Sequence, residues 1–171
     1  TEPQSVAEKA VNEAAILQAA RLGQRAWVES PPRVLVTGQG PIAFAALIAG
    51  VSRTWPVTMM GRDRGDTFRI GLAIRLGTQE YIPLSEADLS PKDFDNDGFD
   101  LLLECTGSEE VLLSASAALA PRGVAVWLGA ARDPVPKTCN FQGLMRNAVL
   151  RNHIHLGSVN AAPRDFADAL E

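Results

Sequence analysis

The sequence predicts a doubly wound α/β domain, a Rossmann-type parallel sheet of about six strands with helices on both faces. Three observations predict it. Short β-branched or leucine-rich runs alternate with segments of helical length from residue 33 onward. The runs "VLVTG" and "DLLLECTG" are apolar at successive positions, as in strands buried on both faces, and lack the alternation of a half-solvated sheet. The first run ends in a bare "GQG" turn that opens directly into another apolar segment. In such a sheet the first strand passes into its helix at a turn of this kind.

The elements follow in order. Ser5 and Glu8, three residues apart, make a capping-box pattern. Ala7, Val11, Ala14, Ala15 and Leu22 then recur at helical spacing, and Gly23 marks the stop. Pro31 and Pro32 lead into "RVLVTG", the first strand, and "PIAFAALIAGV" is apolar all round, as a helix buried against a sheet would be. "PVTMMG" reads as the second strand, "RDRGD" as a polar turn, and "TFRIGLAIRLG" as a helix ending at Gly77. "EYIPL" is a short third strand weakened by Pro83, and the acidic "DLSPKDFDNDG" is a loop. "FDLLLECTG" is the fourth strand. "SEEVLLSASAALAPRG" is a helix that Pro121 and Gly123 should stop, and "VAVWLGA" is the fifth strand. A proline-containing loop precedes the helix "FQGLMRNAVLRN"; "HIHLGSV" is the sixth strand and "PRDFADALE" begins a last helix.

Composition narrows the function. At 171 residues the chain has the size of one domain. Its net charge of −4 provides no basic field for nucleic acid or anionic lipid. No apolar stretch approaches the roughly 20 residues of a membrane-spanning helix, and "TEPQSVAEK" lacks the regions of a secretory signal. Cys105 and Cys139 stand far apart without metal-ligand spacing, so two reduced thiols in a cytoplasmic protein are expected. The chain starts within a helix-entry pattern and stops within a new amphipathic one, as a piece of a longer chain would. Residues 1–30 read as a helix entering from a missing domain, and 31–171 as a nucleotide-binding domain truncated at both ends.

The glycine turn carries the chemistry. "GQGPIA" fits G-x-G-x-x-A through Gly38, Gln39, Gly40, Pro41, Ile42 and Ala43. Gly38 permits a tight turn, Gly40 has no Cβ to obstruct a pyrophosphate, and Ala43 lets helix and strand lie close. The N–H groups of the helix start face phosphate oxygens, and Pro41 costs nothing at the first helical position. The competing reading is a plain structural turn, but the strand before, the helix after and a second strand at the right distance favour dinucleotide binding.

At the second strand's end a carboxylate would grip the ribose hydroxyl of NAD. Here Gly61 is followed by Arg62, Asp63 and Arg64. A neutral tip with arginines favours the 2′-phosphate of NADP, which a guanidinium binds in bidentate fashion. Asp63 keeps NAD as the second choice, and a solvated charged turn is the third reading. "ECTG", with Thr106, and "LGA" close the fourth and fifth strands and would line the cleft. His153 and His155 fall on one face of a strand and, without an acidic partner nearby, are expected to pack.

Taken together, "EPQSVAEKA", "RVLVTGQGPIA", "GRDR", "ECTG" and "LRNHIHLGSVNA…RDF" resemble the archaeal-type glucose 1-dehydrogenases, zinc-dependent members of the medium-chain dehydrogenase/reductase superfamily. The likeness spans nearly the whole chain but only that family's nucleotide-binding domain. It implies that Gly38 to Ala43 hold the pyrophosphate and that Gly61, Arg62 and Asp63 surround the 2′-phosphate. Leu128, Gly129, Ala130, Ser158, Val159 and Asn160 would contact the nicotinamide half, with Asn160 also near the sugar. Glu2 falls where the family motif supplies a catalytic-metal ligand and a sugar contact, although Gln4 replaces a leucine of that motif. The other zinc ligands lie outside this sequence. The resemblance thus implies hydride transfer from sugar C1 to the nicotinamide, giving a lactone, with catalysis absent from this chain alone. It also implies a homo-oligomer, dimer or tetramer, associating through the sixth strand at the sheet edge. Three other readings stay open: a methyltransferase, disfavoured by the Gly61-Arg62 tip; a different medium-chain alcohol or polyol dehydrogenase; and a non-catalytic dinucleotide sensor.

Overall fold

The computed structural model describes residues 2–84, 98–131 and 138–170. Seven helices and six strands alternate along these residues: α1 (Glu2–Leu22), α2 (Ala26–Glu29), β1 (Val34–Thr37), α3 (Pro41–Ser52), β2 (Val57–Gly61), α4 (Phe68–Arg75), β3 (Glu80–Pro83), β4 (Phe99–Glu104), α5 (Glu109–Ala117), β5 (Leu119–Trp127), α6 (Phe141–Leu150), β6 (Ile154–Gly157) and α7 (Pro163–Asp168). The acidic loop expected after β3 and most of the proline-containing loop before α6 lie outside the described residues.

All six strands pair in parallel, in the order β3-β2-β1-β4-β5-β6. The chain runs outward from β1 through β2 to β3, then crosses back to β4 on the other side of β1. The switch point therefore lies between β1 and β4. Register brings the strand ends level there: Thr37 pairs with Met60 and with Glu104, Glu104 with Trp127, and Trp127 with Gly157. The turns after β1, β2 and β4 leave this edge beside one another, and Gly38, Gly61 and Thr106 border one cleft there, where ligands bind in such sheets.

Alternation of side chains splits the sheet's contacts between two layers. Val34, Val36, Leu101, Leu103, Val124 and Val126 face a layer built by α1 and α3, including Ala7, Val11, Ala43, Ala46 and Leu47. Leu35, Leu102 and Ala125 point the other way, against Val111 and Ala115 of α5. Both faces are thus covered, as the continuous apolar runs require. The small residues of α3 let α1 lie closely against it. Among the described residues no helix is long and apolar enough to cross a membrane.

Two local expectations are corrected. The Ser5–Glu8 capping box does not form, because the helix already runs from Glu2. Ser5 Oγ donates to the carbonyl of Glu2 at 2.9 Å. Glu8 turns inward, 4% exposed, to meet Arg53 Nη1 of the α3 C-cap at 2.7 Å. The pair fastens α1 to the end of α3. The second correction concerns β5, which starts at Leu119, before the Pro121 and Gly123 expected to end a helix. α5 stops at Ala117 instead. The ladder pairs Phe99 with Leu119 and next Leu101 with Val124, so the intervening residues bulge out, with Arg122 at φ 66°. Proline and glycine are tolerated in a strand at such a bulge. The short α2 carried no predicted signal.

His153 and His155 do lie side by side, their rings 6.0 Å apart, with His155 tilted against Trp127 at 5.9 Å. Burial pushes the His153 imidazole down to about 4, with Arg151 adding a smaller push. Cys105 and Cys139 are both free thiols.

Candidate functional site

β1 ends at Thr37, and Gly38 reverses the chain at φ 102°, a conformation that side chains rarely adopt. A Cβ there would also lie 3.3 Å from Thr106 Cγ2 and 3.5 Å from the Cys105 carbonyl group. The Gly38 N–H donates to Met60 O at 2.7 Å, which fixes the turn to β2. Gly40 differs in every respect. It is the N-cap of α3 with ordinary extended backbone, φ −87° and ψ 178°, and an added Cβ would meet nothing within 4 Å. No side chain caps α3, and Pro41 takes its first position. The N–H groups of its first turn therefore face open space with the positive end of the helix dipole behind them.

That space is a cleft of about 1030 Å³ bounded by Gly38, Gln39, Gly40, Gly61, Arg62, Asp63 and Thr106, among others. Gln39 does more than line it. Its side chain lies across Gly61, where any Cβ would collide with it, and its Oε1 accepts from the Asp63 N–H at 3.1 Å. The glycine turn and the β2 tip are thereby joined across the cleft floor.

The β2 tip separates its charged residues by occupation. Asp63 Oδ2 accepts from Thr67 Oγ1 at 3.0 Å, and Oδ1 stands 3.8 Å from Arg69 Nη1. The Asp63 carbonyl accepts from Tyr81 Oη at 3.1 Å, and burial, reinforced by the Asp63 charge, pushes the Tyr81 phenol up to about 12. Arg62 is exposed on the cleft wall and makes no ion pair or hydrogen bond with another described residue. An anion entering the cleft thus meets an available guanidinium and a carboxylate that is already engaged. Arg64 is exposed and stands outside the cleft lining.

Glu104, read from the sequence only as part of "ECTG" at the cleft, stands behind the cleft lining and holds the turns around it. It is 2% exposed at the end of β4. Its carboxylate accepts from Thr37 Oγ1 at 3.2 Å, the Thr106 N–H at 2.7 Å, the Gly107 N–H at 3.1 Å and, in a short contact, Thr106 Oγ1. Its main-chain carbonyl accepts the N–H groups of Leu128 and Gly129 at 2.8 and 2.9 Å. One residue so ties the turns after β1, β4 and β5. The signal was available: an acid closing an otherwise apolar strand must find several donors. Cys105 beside it is raised above the ordinary thiol range by burial and by the Glu104 charge, which disfavours its thiolate.

A second cavity, about 470 Å³, gathers Glu2, Ser5, Val6, Asn160, Ala161 and Phe166. The two residues expected near the sugar, Glu2 and Asn160, therefore share a site. Pro41, Ile42, Ala43, Leu128, Gly129, Ala130, Ser158 and Val159 line neither cavity. Among the described residues no three histidine, cysteine or acidic side chains come together as a metal site. The described residues by themselves do not supply the roughly three protein ligands that a catalytic zinc centre needs.

Comparison with known proteins adds an independent line. The family described as glucose dehydrogenase C-terminus matches residues 1–171. The chain is 35% identical over 175 residues to the glucose 1-dehydrogenase of Thermoproteus tenax, covering 99% of this chain and 45% of that protein. It is 34% identical over 173 residues to glucose 1-dehydrogenase 2 of Vulcanisaeta moutnovskia, covering 100% of this chain and again 45% of the relative. The chain thus spans under half the length of these curated relatives. Its fold superposes with a TM-score of 0.80 and 25% identity on the Haloferax mediterranei glucose dehydrogenase, solved in complex with NADP, Zn and gluconolactone; the match covers 98% of this chain and 46% of that one.

Proposed function

The chain belongs to the glucose dehydrogenase C-terminus family, and from that premise we propose that it is the NADP-binding domain of a zinc-dependent glucose (aldose) 1-dehydrogenase. The observation that carries the nucleotide assignment is Gly40. Its backbone needs no glycine and its neighbours leave room for a side chain, so the bare position serves something outside the protein. A pyrophosphate on the open N–H groups of α3 accounts for it. Arg62, free where Asp63 is engaged, supports a 2′-phosphate and hence NADP over NAD.

When bound, NADP supplies a nicotinamide C4 that accepts hydride from C1 of the sugar, while the C1 hydroxyl releases a proton and the lactone forms. This chain's part is to bind and orient. Gly38 to Ala43 seat the pyrophosphate, with Gln39 and Gly61 shaping the floor, and Arg62 holds the 2′-phosphate from one side. Leu128 to Ala130 and Ser158 to Asn160 border the nicotinamide half. Glu2 and Asn160 meet the sugar, Glu2 being this chain's contribution to a zinc site completed elsewhere in the enzyme. The division at residue 30 belongs to the same reading: α1 is the passage from the catalytic domain, although it shares its core with the sheet. Both free thiols suit a cytoplasmic enzyme. The open edge of β6, last in the strand order, suits a homodimer or tetramer.

Calorimetric titration tests the reading, with NADP binding about tenfold or more tighter than NAD. Equal affinity, or tighter NAD, refutes the NADP assignment. NADPH formation from glucose with zinc, followed at 340 nm, should occur with a full-length enzyme and not with this chain. Full-length activity on a simple alcohol but on no aldose would remove the sugar assignment and leave the fold standing.

A further inference from the structure

The stretch from Ser158 to Asn160 is short, exposed at its tip, and held from an unexpected direction. Ser158 still continues the sheet, its N–H donating to Trp127 O at 3.0 Å. Val159 then projects outward, 70% exposed, and Asn160 turns the chain at φ 62°, a left-handed conformation that asparagine tolerates better than most residues. Among the described residues, the N–H groups of Val159 and Asn160 have no acceptor.

Two side chains of α1 fasten this turn. Lys9 Nζ donates to the Val159 carbonyl at 2.7 Å, and Ser158 Oγ donates to Glu13 Oε2 at 2.7 Å. Lys9 and Glu13 also face each other at 3.7 Å, one helical turn apart. Together with Glu2 and Val6 they repeat at intervals of three or four residues, so a single stripe of α1 faces the turn and the second cavity. Both bonds involve a charged partner, the stronger class of hydrogen bond.

The Val159 carbonyl and the Asn160 N–H belong to one peptide group. In a trans peptide the two point in opposite directions. Drawing the oxygen toward Lys9 therefore aims the Asn160 N–H away from α1. A cation on the oxygen also polarises the unit and strengthens that N–H as a donor.

We propose that Lys9 and Glu13 are positioning residues for the nicotinamide half of the cofactor, acting through the Ser158–Asn160 turn they hold. The proposal rests on the assignment of this turn to the nicotinamide and goes beyond it by naming what sets the turn's direction. The turn's free N–H groups then receive an acceptor such as a carboxamide oxygen.

The test separates the two halves of the cofactor. NADP and 2′,5′-ADP, which lacks the nicotinamide half, are titrated calorimetrically into the wild type, Lys9→Met and Lys9→Arg, with thermal midpoints recorded alongside. Lys9→Met should weaken NADP by about tenfold and leave 2′,5′-ADP within about twofold, and Lys9→Arg, which keeps the cation, should recover most of the loss. A Lys9→Met variant that binds NADP like the wild type, or loses both nucleotides by the same factor, overturns the proposal. A wild type that holds 2′,5′-ADP as tightly as NADP overturns it while leaving nucleotide binding intact. A wild type that binds neither nucleotide overturns this proposal and the proposed function together.

Discussion

Replacing Gly40 with valine separates a ligand-imposed glycine from a fold-imposed one. The backbone at Gly40, φ −87° and ψ 178°, is open to any residue, and the new Cβ has no neighbour within 4 Å. Losing the N-cap preference for glycine costs up to about 1 kcal/mol. Stiffening the unfolded chain returns roughly 0.4–1 kcal/mol. The two nearly cancel, so the thermal midpoint should move by no more than about 2–4 °C for a chain of this length. In the bound state the branched side chain occupies the position a phosphate oxygen needs. Loss of a single charge-assisted hydrogen bond is worth roughly 1.5–3 kcal/mol, so NADP affinity should fall by about tenfold or more. Gly38→Ala, two residues away, should show the reverse emphasis. Its φ of 102° and the 3.3 Å approach to Thr106 Cγ2 put the cost in the fold, at least about 1 kcal/mol. Differential scanning calorimetry and titration of both variants decide the matter. A Gly40→Val chain that unfolds readily yet keeps its residual NADP affinity would refute the reasoning.

Other expectations follow from the same geometry. Arg62→Ala should erase most of the preference for NADP over NAD while leaving NAD affinity nearly unchanged, because no other described residue leans on that side chain; calorimetry with both cofactors checks it. Arg53→Met should cost about 3 kcal/mol in urea melts, since it leaves the buried Glu8 carboxylate without its cation and with the Gln4 amide as its remaining side-chain partner. His153, held near 4 when folded, binds its proton more readily in the unfolded chain. Stability should therefore fall as pH drops from about 6.5 toward 4, and His153→Leu should lessen the fall of the thermal midpoint across that window, with His155, also lowered by burial, carrying a further share.

Much of this was legible because the physics is local. β1, β2 and β4 sit at the sheet centre, so their apolar runs declare them, and the glycine turn announces the switch point. β5 was misread at its start because Pro121 and Gly123 are breakers wherever they occur; only the pairing of Leu119 with Phe99 shows that they interrupt a strand. Ser5 and Glu8 had the spacing of a cap, but a partner 45 residues away, Arg53, claims the acid. At the site, motif and resemblance named the residues on the turns, and of these Gly38, Gln39, Gly40, Gly61, Arg62, Asp63 and Thr106 line the cleft. The occupation of Asp63 by Thr67 and Arg69 is local, but it depends on how the turn folds back, which residue types alone do not state. The hold of Lys9 on Val159 joins residues 150 apart, which no single stretch encodes.

The Glu104 hub has a consequence for how this domain can change over time. Because its carboxylate and carbonyl engage Thr37, Thr106, Gly107, Leu128 and Gly129 together, the three turns are not independent modules. A substitution at Thr37 alters the acceptor that Thr106 shares, and a double-mutant cycle between those threonines should show non-additive energies. Variation around this crevice is therefore expected to arrive in correlated sets across β1, β4 and β5, whereas the arginine-bearing tip of β2, outside the hub, is free to drift from one nucleotide preference to another by single replacements.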